Sequence, residues 1–250
     1  MEHLLRATAD AEARHFWFRG FRAFVAPLLR QAASRRTGSH VRRILDCGCG
    51  TGANLALLNR FGRAYGFDLS AVGVRLGRQA GGTLLARASV GAIPFPDASF
   101  DIVTSFDVLY SLDDRTERAA IAEMFRVLAP GGFAVVNVAA MSILRGDHSV
   151  LSHELRRYSR AELCERLEAA GFTIERVTYT NITLLPPMLV ARALQRRRGL
   201  KPEVEAQREI AVPPAPVNAL LTAVLWVESL YLRRFSAPAG SSLLCLARKP

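Results

Sequence analysis

Residues 41–55 read VRRILDCGCGTGANL, and no other stretch restricts the fold as strongly. A short β-branched and apolar run, VRRILDC, breaks into a loop with glycines at 48, 50 and 52, then continues as ANLALLNRF, which has helical character. A buried strand that turns through a loop almost free of side chains into a helix is the opening unit of a parallel α/β sheet. Such a loop sits at the carboxyl end of its strand, where open α/β sheets bind ligands.

The rhythm continues downstream. RAYGFDLS reads as a second strand ending on Asp68, AVGVRLGRQAGG as a helix with a glycine stop, and TLLARASV as a third strand before the turn GAIPFPDAS. FDIVTSFDVL is a fourth strand, DRTERAAIAEMFRVL a helix stopped by APGG, and FAVVNVAA a fifth strand. After the loop MSILRGDHSVLSHELRRYS, a helix opens behind Ser159 as its N-cap. FTIERVTYT and SSLLCLARK supply the sixth and seventh strands. The alternation predicts an α/β fold with a seven-stranded, mostly parallel sheet and helices on both faces. The expected organisation is a helical cap over 1–40, with residues 1–35 helical, a core over 41–180, a helical insert over 181–240, and the last strand over 241–250. A connection of this length between two strands is unusual, and it carries two proline pairs and two apolar helical stretches that end in arginine.

Four chemistries suit a glycine-rich loop with two cysteines. A metal clip needs a second Cys/His pair at ligand spacing, and Cys47 and Cys49 have none, so no metal is expected. A redox pair needs C-x-x-C, and this spacing is one short. Both cysteines read as small packing residues. A dinucleotide loop is a serious rival, because Gly48, Gly50 and Ala53 fit G-x-G-x-x-G/A and Asp68 follows about 20 residues on. Against it, Asp46 sets a carboxylate close to where a pyrophosphate would lie, and the extra Gly52 opens the loop to closer approach. A cationic or zwitterionic ligand tolerates Asp46 better.

Four blocks in order, ILDCGCGTG (44–52), YGFDLS (65–70), GAIPFPDASFDIVTSFDVLYSLDD (91–114) and RVLAPGG (126–132), give the sequence its family resemblance. It resembles the class I S-adenosylmethionine (SAM)-dependent methyltransferases, which implies a Rossmann-like sheet and SAM as cofactor. HFWFRGFR and DHSVLSHELRRYS are similar to a bacterial, methyltransferase-11-type subgroup. The resemblance places Asp46, Gly48, Gly50, Gly52, Asp68, Leu69, Ser89, Val90 and Phe106 at the cofactor. The glycines let backbone pass under the methionine and ribose, the loop amides and the following helix N-terminus meet polar groups, and Asp68 matches a ribose diol. For Asp68 the alternative is an N-cap of the next helix. Ser89 stands where the family often has an aspartate on the adenine amine, and Ser111 where it frequently has a histidine.

Methyl transfer from a sulfonium needs alignment, a dry site and, for some acceptors, a base. His148 and His153 are the expected bases, and Trp17, Asp107, Arg156 and Tyr158 are expected at the substrate. Trp17 or Phe18 is expected to pack on the site, and Arg19 or Arg22 to reach a carboxylate.

The formal net charge is +11, with arginines clustered in RQAASRRTGSHVRR, RALQRRRGLK and YLRRF. That charge invites RNA as a substrate, but no NPPY-like or PC catalytic motif and no RNA-binding module is visible. The preferred acceptor is a small molecule, apolar or lipid-linked. The alternatives are an RNA methyltransferase, a protein of this fold that binds SAM without methyl transfer, and, more distantly, an NAD-dependent dehydrogenase. No signal peptide is visible, and no stretch reaches the roughly 18–20 apolar residues of a spanning helix, because Asn218 and Glu228 interrupt PVNALLTAVLWVESLYL. A cytoplasmic protein is expected, with 181–240 serving as a lid, an interface or a membrane-surface element. The sequence leaves the oligomeric state open.

Overall fold

The computed structural model describes residues 5, 8–9, 11–35, 40–202 and 210–250. Parts of the expected helix over 1–35, of the first arginine cluster and of the insert at 203–209 lie outside the described residues. The elements run α1 (Phe16–Arg35), β1 (Arg43–Cys47), α2 (Leu55–Leu58), β2 (Arg63–Asp68), α3 (Ala71–Gln79), β3 (Leu85–Arg87) and β4 (Phe100–Phe106). They continue as α4 (Asp114–Val127), β5 (Leu128–Ala139), α5 (Asp147–Leu151), α6 (Arg160–Ala169), β6 (Thr173–Thr180), α7 (Leu185–Arg198), α8 (Ala215–Leu232) and β7 (Ser242–Arg248).

One seven-stranded sheet results, in the order β3-β2-β1-β4-β5-β7-β6. The β1, β2, β3, β4 and β5 pairings are parallel, and β7 runs antiparallel between β5 and β6. Alternate residues of each strand feed opposite faces, as the pleat requires. Leu45, Val103 and Val136 join one core with Ile121 and Met124 of α4 and Leu163 and Leu167 of α6. Ile44, Ile102 and Val135 join the other core with Phe24, Val25 and Leu29 of α1, Leu57 and Leu58 of α2 and Val74 of α3. The α8 helix is a further layer laid along α1, where Leu225 packs so tightly on Gly20 that no side chain fits at position 20.

Three local readings need correction. The third strand spans only three residues, because the chain folds into a tight turn in which Ala92 N donates to Ser89 O. APGG does not separate a helix from a strand. Pairing begins at Leu128 opposite Phe100, residues 129–132 bulge outward, and the ladder resumes with Phe133 opposite Ile102. The Lys249 ammonium donates to Phe125 O and Leu128 O at 2.8 Å, occupying carbonyls at the α4 carboxyl end. The helix after the glycine loop is only four residues long, so it offers no sustained dipole at its N-terminus. Elsewhere the sequence signals act as expected: Ser159 caps α6 in a reciprocal box with Glu162.

Candidate functional site

The strand order switches at the parallel pair β1 and β4: β1 leads to β2 on one side of the sheet and β4 leads to β5 on the other. Their carboxyl ends therefore splay apart into a crevice. On the β1 side the loop 48–52 folds back over the sheet, and the amides of Gly48 and Cys49 both donate to Phe67 O at 2.9 Å. Gly48, Gly50 and Gly52 are all left-handed, with φ of 76°, 56° and 77°. At Gly48 a side chain would be strained by that φ and would strike Val108 as well. The loop is held from behind by α3, whose Gly73 and Gly77 lie one turn apart on the facing surface. A Cβ at Gly77 would overlap Thr51 O, so helix and loop are in backbone contact.

Two carboxylates frame the loop. Asp68 accepts from Gly50 N through Oδ2 and from Ser70 N through Oδ1, both at 2.8 Å. Ser70, not Asp68, is the N-cap of α3, accepting from Gly73 N. Each Asp68 oxygen holds one amide and retains capacity to accept again. Asp46 is 1% exposed, and its Oδ1 accepts from Thr104 Oγ1 at 2.6 Å across the β1–β4 ladder, where the two residues are in register. Its Oδ2 has no partner among the described residues. Burial, helped by the nearby negative charge of Asp68, pushes the Asp46 carboxyl up to about 7.

The cysteines serve packing. Cys47 is fully buried, Cys49 lies against Gly66, both are free thiols, and burial pushes both thiols up. Among the described residues no cluster could hold a metal.

On the β4 side, Phe106 ends the strand at 9% exposure, and Phe21 of α1 meets it edge-on at 5.1 Å. The sequence reading looked to Trp17 or Phe18 for that contact. Trp17 instead packs edge-on against Phe16, and Phe18 joins a satellite cluster with Leu151 and Ile210. Arg22 donates to Glu12 O, and Glu12 reaches the glycine loop through Thr51 Oγ1. Leu5 also approaches the loop, at Gly50.

Asp107 opens to the crevice with protein around it. Its Oδ1 accepts from Asn137 Nδ2 at 2.8 Å. Desolvation comes first and the nearby Glu154 carboxylate adds to it; together they push the Asp107 carboxyl up to about 7, against the Asn137 bond and the Arg157 charge. Arg157 donates through Nε to buried Glu154 at 3.0 Å and through a terminal nitrogen to Ala140 O at 2.9 Å. Tyr110 completes this group, and burial with Asp107 and Glu154 beside it drives its phenol well up. Asn137 carried a usable signal, as the one amide in the apolar run FAVVNVAA. Glu154, Arg157 and Tyr110 had none that spacing could reveal.

Asp107, Met141 and Asn181 follow the ends of β4, β5 and β6 with φ of 61°, 60° and 63°, and His153 in the intervening loop has φ 50°. Left-handed backbone at non-glycine residues costs of order 1–3 kcal/mol and gathers at functional edges. His153 is exposed in the turn after α5, and His148 lies within α5.

Arg156 and Tyr158 are a correction. Both turn away from Asp107 toward Glu117, which is fully buried in α4. Tyr158 Oη donates to Glu117 Oε1, and Arg156 and Arg166 donate to Oε2, each at 2.5 Å. A buried carboxylate needs such partners, so these side chains stabilise the α4–α6 interface rather than meeting substrate. On the cofactor side, Leu69 is exposed beside Asp68, and Ser89 Oγ accepts from Gly91 N at 3.2 Å within its turn. Val90 packs at the margin of the first core.

A family described as a methyltransferase domain matches residues 45–136. The chain is 29% identical over 204 residues to a probable S-adenosylmethionine-dependent methyltransferase of Mycolicibacterium smegmatis, covering 80% of this chain and 74% of that one. It is also 29% identical over 204 residues to a ubiquinone/menaquinone biosynthesis C-methyltransferase of Stutzerimonas stutzeri, covering 65% and 74%. Among solved structures, a SAM-dependent methyltransferase of Thermotoga maritima superposes over the whole of both chains with a TM-score of 0.59 at 17% identity, a likeness in fold.

The crevice fits a sulfonium ligand. Asp68 and Asp107 stand at the crevice, and Asp46 lies buried beneath the glycine loop with one oxygen that has no partner among the described residues, an arrangement that opposes a pyrophosphate and suits a cation.

Proposed function

We propose that the chain works as a class I SAM-dependent methyltransferase that methylates a small, apolar acceptor at the crevice between the glycine loop and Asp107. SAM supplies an activated methyl for in-line displacement, so the protein's work is alignment, exclusion of water and proton handling. The glycine loop gives close backbone approach, and the free acceptor capacity of Asp68 suits a ribose diol. The edge-on contact of Phe21 with Phe106 gives this end of the crevice an apolar floor.

Asp107 is the proton acceptor in this reading. It is exposed to the crevice, its orientation is fixed by Asn137, and its environment holds its carboxyl near neutral pH, where a general base works best. In this reading His148, within α5, and His153, in the turn after it, are not the bases. The observation that carries the proposal is the Asp107–Asn137–Glu154–Arg157 group at the end of β4. The similarity to a quinone-biosynthesis C-methyltransferase supports an apolar acceptor.

Incubation with methyl-labelled SAM and a panel of phenols, quinols and acyl acids, followed by organic extraction, tests the reading. Label in the organic phase that depends on Asp107 is expected. Label confined to RNA would overturn it in favour of the RNA alternative.

A further inference from the structure

The outward face of α8 exposes a run of large apolar side chains. This helix is long and apolar enough to cross a membrane by length and composition. Asn218 and Glu228, taken in the sequence as interruptions, both turn inward. Asn218 accepts from Phe16 N at 2.8 Å and donates to Arg14 O at 2.9 Å. Glu228 accepts from Ile182 N, Thr183 N and Thr183 Oγ1 at 2.5–3.1 Å. With Leu225 and Leu232 buried against α1, one side of the helix belongs to the protein.

The other side is bare. Leu220, Trp226, Val227 and Tyr231 are 64%, 54%, 59% and 48% exposed, and Phe235 stacks on Tyr231 at 5.1 Å. Exposed Arg233 and Arg234 follow in the turn that ends the helix, Arg234 four residues past Leu230. The one acid of α8, Glu228, turns inward and the helix has no basic residue of its own, so the charge at this face comes from exposed Arg233 and Arg234 just past its end. Aliphatic residues flanked by Trp, Tyr and arginine suit the boundary between acyl chains and anionic headgroups. The bonds of Asn218 and Glu228 to neighbouring backbone keep the helix lying on the protein instead of crossing a bilayer.

We propose that α8 is a membrane-docking face that seats the enzyme on an anionic lipid surface. This face lies one helix from the crevice, since α8 packs on α1 and Phe21 of α1 touches Phe106. The inference stands whatever the acceptor proves to be.

The test uses the full chain with phosphatidylcholine vesicles, alone or mixed with phosphatidylglycerol. Flotation with the anionic vesicles is expected, weakening as salt rises. It should be accompanied by a blue shift of tryptophan emission that survives Trp17→Phe and is lost in Trp226→Phe. Arg233→Gln with Arg234→Gln should weaken vesicle binding about 25-fold, from roughly fivefold per cation near the surface. Leu220→Ser with Val227→Ser should abolish it, while calorimetric SAM binding stays unchanged and reports an intact fold. No flotation with either vesicle overturns the proposal. So does a dimer in sedimentation velocity that the Leu220→Ser, Val227→Ser variant dissociates, which would assign the face to a second copy.

Discussion

Asn137 donates to Asp107 across neighbouring strand ends, fixing one carboxylate oxygen and leaving the other toward the crevice. With its carboxyl near 7, Asp107 gains its charge as pH rises through neutrality. Single-turnover methyl transfer to an acceptor found in the panel should therefore rise with pH through about 7 and then level. Asp107→Asn should lower the rate by roughly 10²–10⁴-fold, the usual worth of a positioned base, and flatten that profile. An Asp107→Asn enzyme with an unchanged profile would return the role to His148 or His153.

Asp46 titrates in the same range, with a consequence for stability. Its folded value, about 7, stands above that of an unfolded aspartate, so the folded state holds the proton more tightly. The stability this contributes is complete below about pH 4 and is lost as pH rises through about 7. Asp46→Asn should gain in urea midpoint relative to the parent between pH 5 and pH 8. A parent-to-variant difference that is flat across that range would mean Asp46 stays ionised.

Asp68→Ala should weaken SAM binding by about 1.5–3 kcal/mol, the worth of hydrogen bonds to a charged group. Part of that loss comes through the loop, because Asp68 also holds Gly50 N. Calorimetry with S-adenosylhomocysteine reads it, and an unchanged affinity would move the ribose away from β2.

Glu117→Ala should cost about 3 kcal/mol of stability, near the low end for breaking a buried ion pair, since Arg156 and Arg166 retain partial access to water. Denaturant unfolding measures the loss. SAM affinity at low temperature should be preserved, separating this structural cluster from the crevice.

The sheet and the glycine loop were legible because both follow from short-range pattern. Apolar strands alternate with amphipathic helices, and three glycines within five positions mark a close-packed turn. Site partners set by long-range approach were less so. Arg156 and Arg157 are adjacent in sequence, yet one reaches Glu117 and the other Glu154, because the chain pairs Ala140 with Tyr158 and sends alternate side chains to opposite sides. Phe21 was missed for Trp17 because the rotation of α1 is fixed by its packing on the sheet and on α8. Asn218 and Glu228 looked like breaks in an apolar run until the backbone groups that they bond came into view.

The position of β7 has a bearing on synthesis. Because it lies between β5 and β6, β6 has no neighbour in the sheet until residues 242–248 have left the ribosome. The nascent chain must carry β6, α7 and the apolar α8 with an unfinished sheet edge beside them. For that interval the free edge of β5 and the apolar side of α8 lie open together, the kind of surface most prone to stray association.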